Sequence, residues 1–347
     1  MDKDVAVIGG GSWGTTIAKL IAENKQKKGE NGAVRMWIYE ETVNGKKLTS
    51  IINDEHENVK YLPEVKLPSN LVAYPEIKQA IEGVDVIALA VPHEFLDGIL
   101  QQIKRNISDK AILVILTKGF FFRKDKIELI SQSIKNYMNV RVCTLMGANI
   151  AGDVASGKLS ECTLGYQDEG AIDEVLAVFS SENFKVSPVL DYGSVEVCGT
   201  LKNVVAVGYG IVSGHGHGVN TLAAVIRNGL LEIVRFCDEF IAQNSTSAAI
   251  PVVFFESCGL ADLIVTCTSG RNYKYSKMAA EKKISIPTVE KEEMNGQKLQ
   301  GYSTIKELIV FMESKKIEKK YPFLYAIGTS ATTDMSADRI LKVIQEK

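Results

Sequence analysis

One lysine in this chain stands where a lysine is costly. Between Glu196 and Arg227, Lys202 is the only Asp, Glu, Lys or Arg, inside the apolar run Cys198-Gly-Thr-Leu-Lys-Asn-Val-Val-Ala-Val-Gly-Tyr-Gly210. Burying an ammonium without a partner is expensive, so such a lysine normally has a specific task. Desolvation favours the neutral amine, which suits a lysine to general acid/base work. A lysine with a buried stem and a head that snorkels to water is the competing reading. A carboxylate in similar surroundings, Asp262 of Ala261-Asp-Leu-Ile-Val-Thr266, could pair with Lys202 or could cap a helix. Gly270-Arg-Asn-Tyr273 offers Arg271 and Asn272 on a flexible backbone, suited to two-pronged recognition of a phosphate, or forms a solvated turn. Gly214-His-Gly-His-Gly218 supplies too few ligands for zinc, so no metal is expected.

A second kind of chemistry is written near the N-terminus. The apolar strand Val5 to Ile8 runs into Gly9-Gly-Gly-Ser-Trp-Gly14 and then a helical stretch, Thr15 to Asn24. This is G-x-G-x-x-G between a strand and a helix. Gly9 permits the tight turn, Gly11 lets backbone approach a pyrophosphate, and Gly14 lets the helix lie on the sheet. Gly10, Ser12 and Trp13 complete the loop, and helix amides face the phosphates. A second strand, Val34 to Tyr39, ends in Glu40 and Glu41, acids placed to recognise a ribose hydroxyl. No arginine follows them, which favours NAD over NADP, although Lys46 and Lys47 lie close by.

The elements that must position these residues alternate. Apolar strands at Asp85–Val91, Ala111–Leu116 and Val140–Leu145 are separated by helical runs, which implies a parallel sheet covered on both faces. In such sheets ligands bind beyond the carboxyl ends of the strands. Val91-Pro-His-Glu-Phe95, Lys118 and Asn149 all sit at that edge and are expected to line one cleft. Two further strands flank a helix at Ile172–Phe179, and Pro188 to Tyr192 reads as an inter-domain hinge. Beyond it the pattern becomes helical, with runs at Ser194–Val212, Leu222–Gln243, Ala248–Cys258, Ser303–Ser314 and Ser336–Gln345. On the first of these, Gly199, Asn203, Ala206 and Gly210 share a face beside Lys202, so a neighbour can come close. The expected organisation is a Rossmann-like, doubly wound parallel α/β sheet over residues 1–190 and an all-helical substrate domain over 191–347.

Composition narrows the class. A chain of 347 residues is long enough for two domains. Its formal net charge of −2 argues against nucleic-acid or membrane-surface binding. No basic-then-apolar leader opens the sequence, and the apolar run around Lys202 is short and Gly-punctuated, so no membrane span is expected. Six scattered cysteines without a C-x-x-C pair read as reduced, buried thiols of a cytosolic protein.

The whole chain, from about Val5 to the last helix, resembles eukaryotic-type NAD-dependent glycerol-3-phosphate dehydrogenase. In the first half the resemblance lies in Gly9–Gly14, Met36–Glu41, Gly45–Asn53, His56–Pro63, Val91–Phe95, Thr117–Gly119 and Met146–Ala151. In the second half it lies in Leu201–Gly208, Ala223–Arg227, Glu256–Leu263, Gly270–Asn272 and Asn295–Gly301. It implies that Lys202 is the general acid/base giving a proton to the C2 oxygen of dihydroxyacetone phosphate. Lys118 would bind substrate and stabilise the developing alkoxide, and Asp262 would hold Lys202 in place. Asn203, Thr266, Arg271 and Asn272 match substrate contacts; Tyr39, Phe95, Ala151, Arg271, Lys298 and Gln300 match contacts to NAD. A cytoplasmic homodimer is implied as well. The sequence departs from the family at Val219 and Leu222, where relatives commonly carry an acid and a base. Reduction of another small 2-oxo or 3-hydroxy compound would need a site without a phosphate clamp. A silent nicotinamide sensor would be expected to lack Lys118, Lys202 or Asp262.

Overall fold

Three strands of the first half are buried at every residue, and their place in the sheet explains why. The computed structural model describes residues 3–123, 126–241, 251–294 and 297–346. The chain divides into two units, Met1–Lys118 with Ile130–Tyr192, and Gly119–Leu129 with Gly193–Lys347.

Unit 1 is built on eight strands: β1 (Val5–Ile8), β2 (Val34–Trp37), β3 (Leu71–Tyr74), β4 (Val86–Leu89), β5 (Ile112–Ile115), β6 (Arg141–Met146), β7 (Ser160–Gly165) and β8 (Phe184–Val189). Their order is β3-β2-β1-β4-β5-β6-β7-β8. Central β1, β4 and β5 are covered on both faces, as parallel strands flanked by helices must be. Those helices are α1 (Ser12–Lys27), α2 (Leu48–Glu55), α3 (Ile77–Ile81), α4 (Leu96–Lys104), α5 (Ile130–Tyr137), α6 (Ala151–Ala155) and α7 (Ile172–Phe179). The sheet is mixed, because β6 and β7 pair antiparallel. Their connection holds only the five-residue α6, too short to return the chain for another parallel strand. Edge strand β3, absent from the sequence reading, alternates buried and half-buried residues and so lacks the apolar signature of the centre. Pro188, expected in a hinge, lies inside β8 at the opposite edge, where a missing N–H is tolerated.

Unit 2 is mostly helical: α8 (Tyr192–Gly214), α9 (Val219–Phe240), α10 (Asp262–Ser269), α11 (Arg271–Lys282), α12 (Ile286–Glu293), α13 (Gln300–Lys315), α14 (Pro322–Thr332) and α15 (Asp338–Gln345). It also takes in an upstream hairpin, Phe120–Arg123 against Lys126–Leu129. Phe120 stacks on Phe236 of α9 at 6.2 Å between ring centroids, and Phe122 meets Phe311 of α13 at 5.8 Å. Helix α8 is long and apolar enough to cross a membrane, but nearly all of its apolar stretch is buried by protein, as a helix hydrophobic all round must be. Tyr273 and Ser276 of α11 come so near α8 that a Cβ on Gly210 would stand 2.6 Å from the Tyr273 carbonyl oxygen. The small face beside Lys202 therefore receives α11.

The helix expected over Ala248–Cys258 is replaced, where described, by a 3₁₀ turn (Val252–Phe255) and a π turn (Ser257–Ala261). Pro251 and the extended Glu256 (ψ 173°) interrupt any continuous helix; residues 248–250 lie outside the described residues. The expected Leu222–Gln243 helix is α9, with 242 and 243 also outside the described residues. Helix α14 was not anticipated. It starts with Pro322, and buried Glu232 of α9 accepts the backbone N–H groups of Phe323 (2.9 Å) and Leu324 (2.8 Å), satisfying the orphan donors of a helix start.

Candidate active site

In unit 1 the strand order reverses beside β1, which lies between β2 and β4, and ligands of such sheets bind at that reversal. Gly9 leaves β1 with φ +124°, and a Cβ there would stand 2.6 Å from the carbonyl oxygen of Ala90, just past β4. A Cβ on Gly14 would overlap the carbonyl oxygen of Gly9, and one on Gly10 would overlap Ile38. Gly11 is the opposite case: among the described residues nothing lies within 4 Å of its would-be Cβ, and it precedes α1 without a side-chain cap. No side chain caps the first amides of α1. An open backbone cradle at a helix start is what a pyrophosphate requires, so these residues fit a dinucleotide. Ser12 Oγ donates to the Tyr61 carbonyl at 2.6 Å, and half-buried Trp13 lies against the core.

Other nominated residues of unit 1 follow the carboxyl ends of parallel strands. Tyr39 is 74% exposed and Phe95, in a 3₁₀ turn after β4, is 66% exposed, so both rings are accessible at that end of the sheet. Asn149 donates its amide to the Glu161 carbonyl at 3.0 Å, while its buried Oδ1 has no partner among the described residues. Ala151, opening α6, accepts the Thr16 hydroxyl of α1 at 3.3 Å, so the Asn149–Ala151 turn is tied to the helix that starts at the glycine loop. Lys118 is half-buried three residues beyond β5, and the next amide, Gly119 N–H, donates to Thr200 Oγ1 at 3.0 Å.

The two acids expected at the ribose are committed elsewhere. Glu40 accepts both the amide (3.2 Å) and the hydroxyl (2.6 Å) of Thr49 and so caps α2; Lys47, the residue preceding α2, provides no side-chain cap. Glu41 accepts from Lys60 and the Tyr61 hydroxyl. Burial would raise the Glu41 carboxyl, but those two hydrogen bonds outweigh it and hold the group below its ordinary value. Lys46 pairs with Glu55 at 2.9 Å.

Unit 2 brings together the costly pair. Lys202 is 3% exposed, Asp262 is 2% exposed, and the ammonium is ion-paired with Asp262 Oδ1. Thr266 Oγ1 donates to the same oxygen at 3.2 Å. Asp262 Oδ2 is buried with no hydrogen-bond partner among the described residues, an unused acceptor beside the Lys202 ion pair. The π turn before α10 delivers Asp262 as the first helical residue; such bulges recur at functional sites. Asp262 therefore serves as an ion-pair partner rather than a side-chain cap. Burial pushes the neighbouring Cys267 thiol up to about 12, so it stays protonated and inert at neutral pH.

The phosphate-binding candidates are differently placed than expected. Arg271 and Asn272 lie on the first turn of α11, whose N-cap is Gly270, rather than on a flexible turn. An anion there would meet a guanidinium and helix-start amides together. Exposed Arg271 donates to Gln297 Oε1 at 2.9 Å. Buried Asn272 donates to Asn203 Oδ1 at 2.8 Å and accepts Gly301 N–H at 3.0 Å. Gln300 opens α13, and Lys298 pairs with Glu290 of α12 at 2.9 Å. Asn295 and Gly296, part of the expected polar loop, lie outside the described residues. Sequence reasoning did not single out Glu290, Thr200 or Thr16. Glu290 sits in the charge run Glu290-Lys-Glu-Glu293 and reads as solvated, and the two threonines carry no charge to draw notice.

The same two halves recur among known proteins. The family model for the NAD-dependent glycerol-3-phosphate dehydrogenase N-terminus matches residues 4–172, and that for the C-terminus matches residues 191–342. Human cytoplasmic glycerol-3-phosphate dehydrogenase [NAD(+)] is 43% identical over 326 residues, covering 94% of this chain and 92% of the human protein. The solved glycerol-3-phosphate dehydrogenase of Saccharomyces cerevisiae superposes with a TM-score of 0.88 at 37% identity, covering 99% of this chain and 100% of the yeast chain. The Dunaliella salina structure gives a TM-score of 0.91 at 33% identity, covering 98% of this chain and 60% of that longer one. With matches to both halves and near-complete coverage of its relatives, the chain belongs to the NAD-dependent glycerol-3-phosphate dehydrogenase family.

Proposed function

We propose that this chain interconverts dihydroxyacetone phosphate and sn-glycerol 3-phosphate with NADH and NAD. The observation that carries the proposal is the buried Lys202–Asp262 pair with its open acceptor, Asp262 Oδ2. NADH, when bound, supplies the hydride that adds to C2 of the ketone. Lys202 gives a proton to the C2 oxygen, so that hydride and proton together convert the carbonyl to an alcohol. Asp262, itself held by the Thr266 hydroxyl, fixes the ammonium, and the positive charge of Lys118 stabilises negative charge developing on the oxygen. Arg271 and the start of α11 hold the phosphate, while Asn203, Asn272 and Thr266 orient the hydroxyls. Gly9 to Gly14, Tyr39, Phe95, Asn149, Ala151, Lys298 and Gln300 hold the dinucleotide; Arg271, by resemblance, also reaches it.

Homodimeric assembly and a cytoplasmic location belong to the same proposal. The location is supported by relatives that are themselves named cytoplasmic.

The experiment is loss of NADH absorbance with purified protein and dihydroxyacetone phosphate, beside Lys202→Ala and an NADPH control. Wild type oxidises NADH, and Lys202→Ala loses roughly 10²–10⁴-fold in kcat while still binding NADH. Tight NADH binding without turnover by wild type would defeat the dehydrogenase reading in favour of a nicotinamide sensor.

A further inference from the structure

We propose that Glu290 is a positioning residue for the cofactor-binding segment 297–301. Its carboxylate is 2% exposed on α12 and uses both oxygens on that segment. Oε1 accepts Leu299 N–H at 2.8 Å, and Oε2 accepts Lys298 Nζ at 2.9 Å. The two grips differ in kind: one holds the backbone, the other orients an ammonium on a side chain that is 68% exposed. A lysine that keeps its stem and head mostly in water has little of its own to fix it and loses much rotamer freedom when held. A buried carboxylate is a strong reason for it to stay.

The segment so anchored leads directly into the substrate constellation. Leu299 is the N-cap position of α13 and is followed by Gln300 and Gly301. Gly301 lies so close to α8 that a Cβ would overlap the Asn203 carbonyl, and its N–H donates to Asn272 Oδ1. Asn272 in turn donates to Asn203 Oδ1, one residue from Lys202. Glu290 thus fixes one end of a hydrogen-bonded series whose other end borders the acid/base lysine. The second oxygen holds the ammonium of an exposed lysine in one place, where its positive charge is available to an anionic ligand.

The inference rests on the NAD-dependent reading above, and NADH binding and turnover by the wild type test that reading separately. The decisive variant is Glu290→Gln, which keeps an acceptor for Leu299 N–H and loses the anion that orients Lys298. Its NADH dissociation constant, read by fluorescence titration of the protein without substrate, rises roughly tenfold. The KM for NADH rises in parallel, while kcat stays within about threefold of wild type. Glu290→Asp keeps the charge one methylene further back and gives an intermediate constant. Lys298→Met raises the constant as well, and the double variant Glu290→Gln/Lys298→Met is no weaker than the worse single one, because the two residues act as one unit. An unchanged dissociation constant in Glu290→Gln or Glu290→Asp overturns the proposal, as do additive effects of the two positions. A lowered melting temperature with wild-type NADH affinity does so too, since it leaves Glu290 only a structural role.

Discussion

Asp262 is the residue on which two demands meet. It neutralises a lysine that burial would otherwise penalise, and its second oxygen, also buried, has no hydrogen-bond partner among the described residues. Removing one partner of a buried ion pair is far worse than never having the pair, because the remaining charge stays desolvated. Asp262→Asn preserves shape while removing the charge and replacing one acceptor oxygen with an NH₂ donor. The expected outcome is a stability loss of about 3–5 kcal/mol by urea denaturation, together with a fall in kcat of roughly 10²-fold or more. A variant as stable and active as wild type would mean that Lys202 finds its compensation elsewhere. Thr266→Val should be milder, about 1 kcal/mol, since it deletes a single neutral donor to that carboxylate.

At the scale of elements, the β1–α1 turn separates what folding requires from what binding requires. Gly14 is needed for the fold, because a Cβ would overlap the Gly9 carbonyl; Gly11 has open space and an extended backbone that alanine adopts freely. Gly14→Ala is therefore expected to lower both stability, by about 1–3 kcal/mol, and NADH affinity. Gly11→Ala should melt within about 0.5 kcal/mol of wild type yet bind NADH at least tenfold more weakly, the added methyl standing where the pyrophosphate must come. Thermal melts beside NADH titrations read both quantities. Wild-type affinity in Gly11→Ala would place the phosphates elsewhere. The adjacent acids teach the complementary lesson: Glu40 caps α2 through Thr49, so a carboxylate at the right place in the chain can be consumed by a helix.

For the whole molecule, the notable feature is that unit 2 is discontinuous in sequence. Residues 119–129 interrupt unit 1 yet belong with the helices after Tyr192. Phe120 is buried against Phe236, which also meets Tyr321 and Phe240. Removing one such ring costs about 3–5 kcal/mol, a large part of the roughly 5–15 kcal/mol that a domain possesses. A fragment spanning residues 193–347 should consequently lack a cooperative thermal transition by circular dichroism, and co-expression with 119–129 should restore one. A sharp transition in the fragment alone would make the hairpin incidental to unit 2.

The sequence by itself determined the nucleotide half most completely. The strand, glycine loop and helix are contiguous, and Gly14 answers a local steric demand set by the Gly9 carbonyl. It also identified Lys202 by a local signal, one charge in a long apolar run, and offered Asp262 as one of two readings. Tertiary structure alone decided the rest. It chose ion pair over cap for Asp262, turned the Arg271–Asn272 stretch into a helix start, assigned Glu40 to Thr49, and carried the Phe120 hairpin into unit 2. It also gave buried Glu290 its partners, the Lys298 ammonium and the Leu299 amide. For Asp262 and for Asn272 the physical reason is the same. A buried polar group is explained by the partner that satisfies it, and when that partner lies tens of residues away no local pattern of residue types can name it.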